Sequence, residues 1–144
     1  MKIALIEGPL LDKLGKREPQ IYGDGFKRED VERSLQEKAD ALDVDLEFKS
    51  SYVEGEIAKI ITECDADGII INPGAYTHTS ILLRDVLVYK KIPLVEAHFS
   101  NIFSREEFRK TSYISDVAQG LICGFGKDTY ILALEAVFRS LSRV

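Results

Sequence analysis

Five apolar runs, each of about five residues, alternate along the chain with amphipathic stretches, and this alternation narrows the choice of fold more than any other feature. The runs are Lys2–Ile6 (KIALI), Asp45–Lys49, Gly68–Asn72 (GIIIN), Pro93–Ala97 and Gly120–Gly124. They are rich in leucine or β-branched residues and bounded by Gly, Pro, Asn or Asp, as strands are. GIIIN is continuously apolar, which predicts a strand covered on both faces. Between the runs, Arg28–Leu42 places Val31, Leu35, Ala39 and Leu42 at helical spacing. Gly55–Glu63, Ser80–Tyr89 and Thr129–Leu141 follow the same pattern. Ser104–Lys110 reads as a short helix, since Ser104 and Glu107 match a capping box. Strand and helix in alternation imply a parallel sheet between helical layers. The expected fold is therefore α/β, a flavodoxin-like doubly wound five-stranded parallel sheet in three α/β/α layers. The 144 residues fit one domain, residues 1–144.

In such sheets the ligand sits beyond the carboxyl ends of the strands, at the point where strand order reverses. Three segments follow those ends. After the first strand comes EGPLLDKLGKREPQIYGDG, Glu7–Gly25, which has no apolar periodicity. Loops longer than about 12–15 residues are commonly functional or disordered, and this one reads as a basic, tyrosine-bearing flap. The others are NPGAYTHTS, Asn72–Ser80, and EAHFSNIFSREEFR, Glu96–Arg109. Together they hold Arg17, Tyr22, Asn72, Tyr76, His78, Glu96, His98, Ser100, Arg105 and Arg109, including both histidines of the chain. Taken singly, each has an ordinary structural role open to it. The histidines can be satisfied by packing, Tyr22 can be core, and Asn72-Pro73-Gly74 can be a turn. Arg105 and Arg109, four apart beside Glu106 and Glu107, can form a solvated helix face. Jointly they suit a small anionic ligand such as a carboxylate or phosphate.

Several classes are disfavoured. The net charge of −5 argues against a nucleic-acid partner. No apolar run approaches the ~20 residues of a membrane span, and no leader pattern opens the chain, so the expected location is cytoplasmic. The two cysteines, Cys64 and Cys123, form no C-x-x-C pair and read as reduced thiols. No phosphate-binding glycine motif, serine nucleophile elbow or metal-binding cluster is present.

The segments LGKREPQIYG, EGEI, DGIIINPGAYTHTSILLRD, PLVEAHFSNIFSREEFRKTSYIS and GLICGFGKDTYILALEA resemble the type II 3-dehydroquinate dehydratases over nearly the whole chain. The resemblance implies removal of water from 3-dehydroquinate to give 3-dehydroshikimate, with no metal and no cofactor. By resemblance Tyr22 is the base that takes a proton next to the ketone, and Arg17 favours its phenolate. One positive charge near 4 Å is worth roughly 4 kcal/mol at an effective dielectric of 20, enough for that task. His98 resembles the general acid and Glu96 its partner. Asn72, His78 and Arg109 resemble groups that hold ring hydroxyls. Gly74, Ala75 and Phe99 fall at substrate-binding positions, Ser100 and the amide before it in a carboxylate cradle, and Arg105 beside the lid. Asp85 would reach a neighbouring subunit, because the family forms trimers gathered into dodecamers. The remaining partner implied is a small cyclic carboxylic acid substrate.

Two stretches depart from the family pattern. N-G-P-N-L-N is replaced by Glu7-Gly8-Pro9-Leu10-Leu11-Asp12. Leu10 stands where an asparagine helps hold a water against the enolate oxygen, and a lost donor of that kind typically costs about 10²–10³ in rate. Glu7 is expected to bring negative charge near the same oxygen. In SSYVEGE, Tyr52 and Val53 stand where Asn and His are common. These departures leave an alternative open, a divergent relative with lost or altered activity that binds a related cyclic hydroxy acid.

Overall fold

The computed structural model describes residues 1–22 and 27–143. Its five strands are β1 (Lys2–Glu7), β2 (Asp45–Ser50), β3 (Gly68–Asn72), β4 (Leu94–His98) and β5 (Gly120–Cys123). All neighbouring pairs are parallel. The order β2-β1-β3-β4-β5 is that of the flavodoxin-like doubly wound fold. Each strand falls within a residue or so of its expected place.

The helices are α1 (Pro19–Tyr22), α2 (Arg28–Ala41), α3 (Glu54–Glu63), α4 (Ile81–Lys90) and α5 (Asp128–Ser142). The pleat sends alternate residues of each strand to opposite faces. Ile3 and Leu5 of β1, with Ile70, Val95 and Ala97, pack against Val31, Leu35 and Ala39 of α2 and Ala133, Leu134 and Val137 of α5. Ala4, Ile6, Ile69, Ile71 and Leu94 pack on the other face against Ile57 and Ile61 of α3 and Leu83 and Leu87 of α4. Each fully buried aliphatic side chain contributes roughly 1.5–3 kcal/mol, so two continuous layers suffice to hold the sheet. Every residue of β3 is buried, as its unbroken apolar run requires.

Two expectations are corrected. Ser104–Lys110 is not a helix but two 3₁₀ turns, Ile102–Ser104 and Glu107–Lys110, joined by extended Arg105 and Glu106. Asn101, not Ser104, caps the first, its Oδ1 accepting from the Phe103 amide at 3.1 Å. The capping-box pattern fails because Ser104 turns its hydroxyl back to the Asn101 carbonyl, at 2.9 Å. The flap, in turn, is folded over much of its length. Leu11–Lys13 is a 3₁₀ turn and Pro19–Tyr22 a helical turn. Leu11, Leu14 and Tyr22 are anchored in the core. The flap's last three residues, Gly23–Gly25, lie outside the described residues.

Candidate active site

The loops after β1, β3 and β4 meet where the strand order reverses. Glu7 and Asn72 are the last register pair between β1 and β3. Just beyond, the Gly8 amide donates to the Asn72 carbonyl at 2.8 Å. A Cβ on Gly8 would lie 2.2 Å from the Pro73 oxygen, so only glycine permits this approach.

A cavity of about 170 Å³ opens above this contact. Arg17, Tyr22, Asn72, Gly74, Ala75, His78, His98, Phe99, Ser100, Arg105 and Arg109 all line it, with Leu10 among the remaining wall residues. The structure thus brings together nearly every residue singled out from the sequence. Glu96 is one step behind, fully buried beneath His98. Two residues stand apart: Asp85 is exposed on α4 and not part of this chain's own cavity wall, and Tyr76 turns away to donate to the Tyr52 carbonyl at 2.8 Å. Arg105 and Arg109 share the cavity although no helix face joins them.

The tyrosine lies between two guanidinium groups. Arg17 stacks over the Tyr22 ring at 4.6 Å, and Arg105 Nη1 donates to the Tyr22 hydroxyl at 3.2 Å. Arg105 thus reaches the phenolic oxygen directly, while Arg17 lies against the ring, near the phenolate it is expected to favour. Arg105 also donates to Ser100 at 3.4 Å, while its buried Nε has no acceptor among the described residues. An unmet buried donor costs about 1–3 kcal/mol, which an anionic ligand oxygen would recover.

His98 Nε2 lies 2.7 Å from Glu96 Oε1. Glu96 is surrounded by further donors: Thr77 at 2.9 Å, Ser112 at 3.0 and 3.1 Å, and Ser115. Burial alone would raise the carboxyl, but bonds from His98, Ser115 and Thr77 outweigh it and hold it below the ordinary glutamate value. His78 stacks with His98, ring centroids 6.4 Å apart, and its Nδ1 donates to the Thr111 carbonyl at 2.7 Å. That bond fixes the tautomer and leaves Nε2 as the free ring nitrogen. Burial pushes His78 down from the ordinary histidine value.

The sequence reading missed Thr77, Ser112 and Ser115, because a hydroxyl that serves a carboxylate has no local pattern. The departing residues also find specific places. Leu10 has φ 71°, a left-handed conformation that asparagine tolerates and leucine does not favour. Tyr52 donates to Asp12 at 2.6 Å and steadies the loop after β1. Glu7 does not face the cavity. It is buried in a two-point contact with Arg28, so the expected repulsion at the enolate oxygen is corrected. Among the described residues there is no cluster of His, Cys, Asp and Glu able to hold a metal ion. No described helix is long and apolar enough to cross a membrane.

A doubly wound sheet with this cavity at its switch point presents a candidate small-molecule site lined by three arginines, a tyrosine and a carboxylate-backed histidine. The family model described as Dehydroquinase class II matches residues 1–138, and the chain belongs to that family. It is 51% identical to a protein of Prochlorococcus marinus named 3-dehydroquinate dehydratase, over 100% of both chains. It is also 51% identical to one of the same name from Polynucleobacter asymbioticus, over 98% of this chain and 96% of that one. The crystal structure of a type II dehydroquinase from Butyrivibrio crossotus superposes with TM-score 0.91 at 40% identity, over 95% of this chain and 97% of that one.

Proposed function

We propose that the chain is a 3-dehydroquinate dehydratase, a hydro-lyase that converts 3-dehydroquinate to 3-dehydroshikimate and water. The observation that carries this reading is the pairing within one cavity of Tyr22, contacted by Arg105 and covered by Arg17, with His98, backed by Glu96. Tyr22 takes the proton from the carbon next to the ketone. The C–H electron pair moves into the ring, giving an enolate on the ketone oxygen. The enolate then collapses, the C–O bond to the β hydroxyl breaks, and His98 gives that oxygen a proton so that it leaves as water.

The neighbours support these roles. Two guanidinium groups balance negative charge on the phenolic oxygen. The Glu96 carboxylate orients the His98 ring and balances positive charge on it. Asn72, Gly74, Ala75, His78 and Arg109 surround the ring hydroxyls. Arg105, Phe99 and Ser100 receive the carboxylate, for which the Arg105 Nε, without an acceptor among the described residues, is one available donor.

Further parts of the reading concern the whole protein. The chain acts as one domain, in the cytoplasm, as a homo-oligomer of trimers that gather into a dodecamer. Ile81, Leu82, Val88 and Tyr89 support this by leaving α4 with an exposed apolar face around Asp85, which would complete the site of an adjacent subunit.

The deciding experiment is a spectrophotometric assay of the purified protein with 3-dehydroquinate. The conjugated product should accumulate with turnover that follows enzyme concentration. No product at micromolar enzyme would overturn the reading.

A further inference from the structure

Glu7, Arg28 and Tyr130 are titratable or charged groups, largely or fully removed from water, to which the reaction gives no part. They form a chain that ends in the cavity. Arg28, the first residue of α2, holds both oxygens of Glu7, with Nη1 at 2.7 Å from Oε2. The Tyr130 hydroxyl, from α5, lies 2.5 Å from the same Oε2. Asn72 Nδ2 lies 2.9 Å from that hydroxyl, and Asn72 Oδ1 accepts from the Gly74 amide at 3.2 Å. Glu7, Tyr130 and Asn72 are 3%, 0% and 1% exposed, so water has little room to replace any partner.

We propose that Arg28, Glu7 and Tyr130 are positioning residues whose relay fixes which way round the Asn72 amide faces the ligand. The direction follows from donor and acceptor capacity. A carboxylate held at both oxygens by a guanidinium only accepts. Tyr130 must therefore spend its one hydrogen on Glu7. It then has only lone pairs for Asn72, so Asn72 must present its NH₂ to Tyr130 and its oxygen to Gly74. One N–H and one lone pair of the amide remain for the ligand, in a fixed arrangement.

Burial, and next the charge of Glu7, push the Tyr130 hydroxyl well above the ordinary tyrosine value, so it keeps the hydrogen it must donate. The amide that the family usually carries at position 7 either donates or accepts, and so does not by itself set the direction. The charged pair sets it from the Tyr130 side, in agreement with the Gly74 N–H on the other.

This inference rests on the dehydratase reading for its kinetic test, so a second readout is needed that requires no turnover. Tyr130→Phe, Asn72→Ala and the double variant are assayed with 3-dehydroquinate. Tyr130→Phe should lower kcat/KM by about 10-fold, chiefly through KM, yet by less than about two-fold when Asn72 is already alanine, as coupled neighbours behave. An equal loss in both backgrounds would mean a general structural effect and overturn the proposal. In parallel, the Asn72 side-chain amide resonances are followed by ¹⁵N NMR. They should move in Glu7→Gln and Tyr130→Phe and stay in place in Arg28→Lys, which keeps the charge. Unmoved resonances in both of the first two variants would also overturn the relay. If the wild-type protein does not turn over 3-dehydroquinate, the functional reading fails and the NMR arm alone decides the relay.

Discussion

Arg105 Nη1 stands 3.2 Å from the Tyr22 hydroxyl, although 83 positions separate the two residues in the chain. The contact ties the loop after β4 to the turn after β1, and it brings a positive charge within hydrogen-bond distance of the phenolic oxygen. Removing that oxygen tests the centre of the mechanism. Tyr22→Phe keeps the ring and its stacking on Arg17, and should lower turnover by at least about 10³. Its melting temperature should stay close to that of the wild type. Near-normal turnover would remove Tyr22 from the role of base.

Leu10 carries two separable deficits, a strained backbone and a missing amide. The left-handed conformation costs a non-glycine residue about 1–2 kcal/mol, and asparagine less. Leu10→Asn should therefore raise the urea midpoint. It should also raise kcat by roughly 10-fold or more, since one well-placed donor contributes up to about 2.7–4 kcal/mol. Glu7→Asn, which the sequence pattern alone would recommend alongside it, should make the protein worse by leaving the largely buried Arg28 without its counter-charge and with at most one acceptor oxygen in place of two. A double variant faster and more stable than Leu10→Asn alone would contradict this.

Glu96 should give the fold an acid-sensitive component. Its carboxyl lies below the ordinary value of 4.5 in the folded chain. A depressed group contributes stability that is fully present above the unfolded value and lost as pH falls through the folded one. Urea unfolding should therefore show the wild type losing its advantage over Glu96→Gln as pH drops below about 4.5. A constant difference between the two from pH 7 to pH 3 would exclude this contribution.

Gly8→Ala should destabilise the protein by about 1–3 kcal/mol, because its Cβ would meet the Pro73 carbonyl. Turnover should fall as well, since the displaced Pro73 adjoins Asn72 at the end of β3. Denaturant titration and a kinetic assay of the same preparation check both effects. A stable and active alanine variant would mean that the two loops separate easily.

Light scattering at micromolar concentration should find multiples of three subunits, well above the 16.2 kDa of one chain. Asp85→Ala should reduce activity while leaving the assembly intact. A stable monomer with full activity would remove Asp85 from the site.

Much of this molecule is legible in its sequence, for physical reasons that differ by region. Ile3 to Ile6 and Ile69 to Ile71 state their strands directly, because a sheet covered on both faces demands unbroken apolar runs. His78 and His98 are placed by topology, since strand ends in a doubly wound sheet converge whatever their side chains. Arg105 and Arg109 arrive in the cavity by a route that spacing does not reveal. Two turns with extended residues between them bring both inward, where one helix was expected. Glu7 is the clearest failure of local reading. A carboxylate beside a predicted oxyanion looks repulsive until its partner, 21 positions away, is seen. The Tyr52 hydroxyl bond to Asp12 is invisible for the same reason, being set by packing between loops and not by any pattern within one.

The pairing of Glu7 with Arg28 also bears on how this chain can change over generations. Breaking a buried ion pair from one side costs up to about 3–5 kcal/mol, against a typical total stability of about 5–15 kcal/mol. An ancestor with an uncharged residue at both positions, or a descendant with one, is thus separated from this protein by intermediates that fold poorly. The two codons are inherited in effect as one character. A library that varies single sites would score both positions as intolerant, while paired replacement by matched apolar side chains, with Tyr130→Phe to remove the hydroxyl that donates to Glu7, would recover stability and expose the epistasis between them.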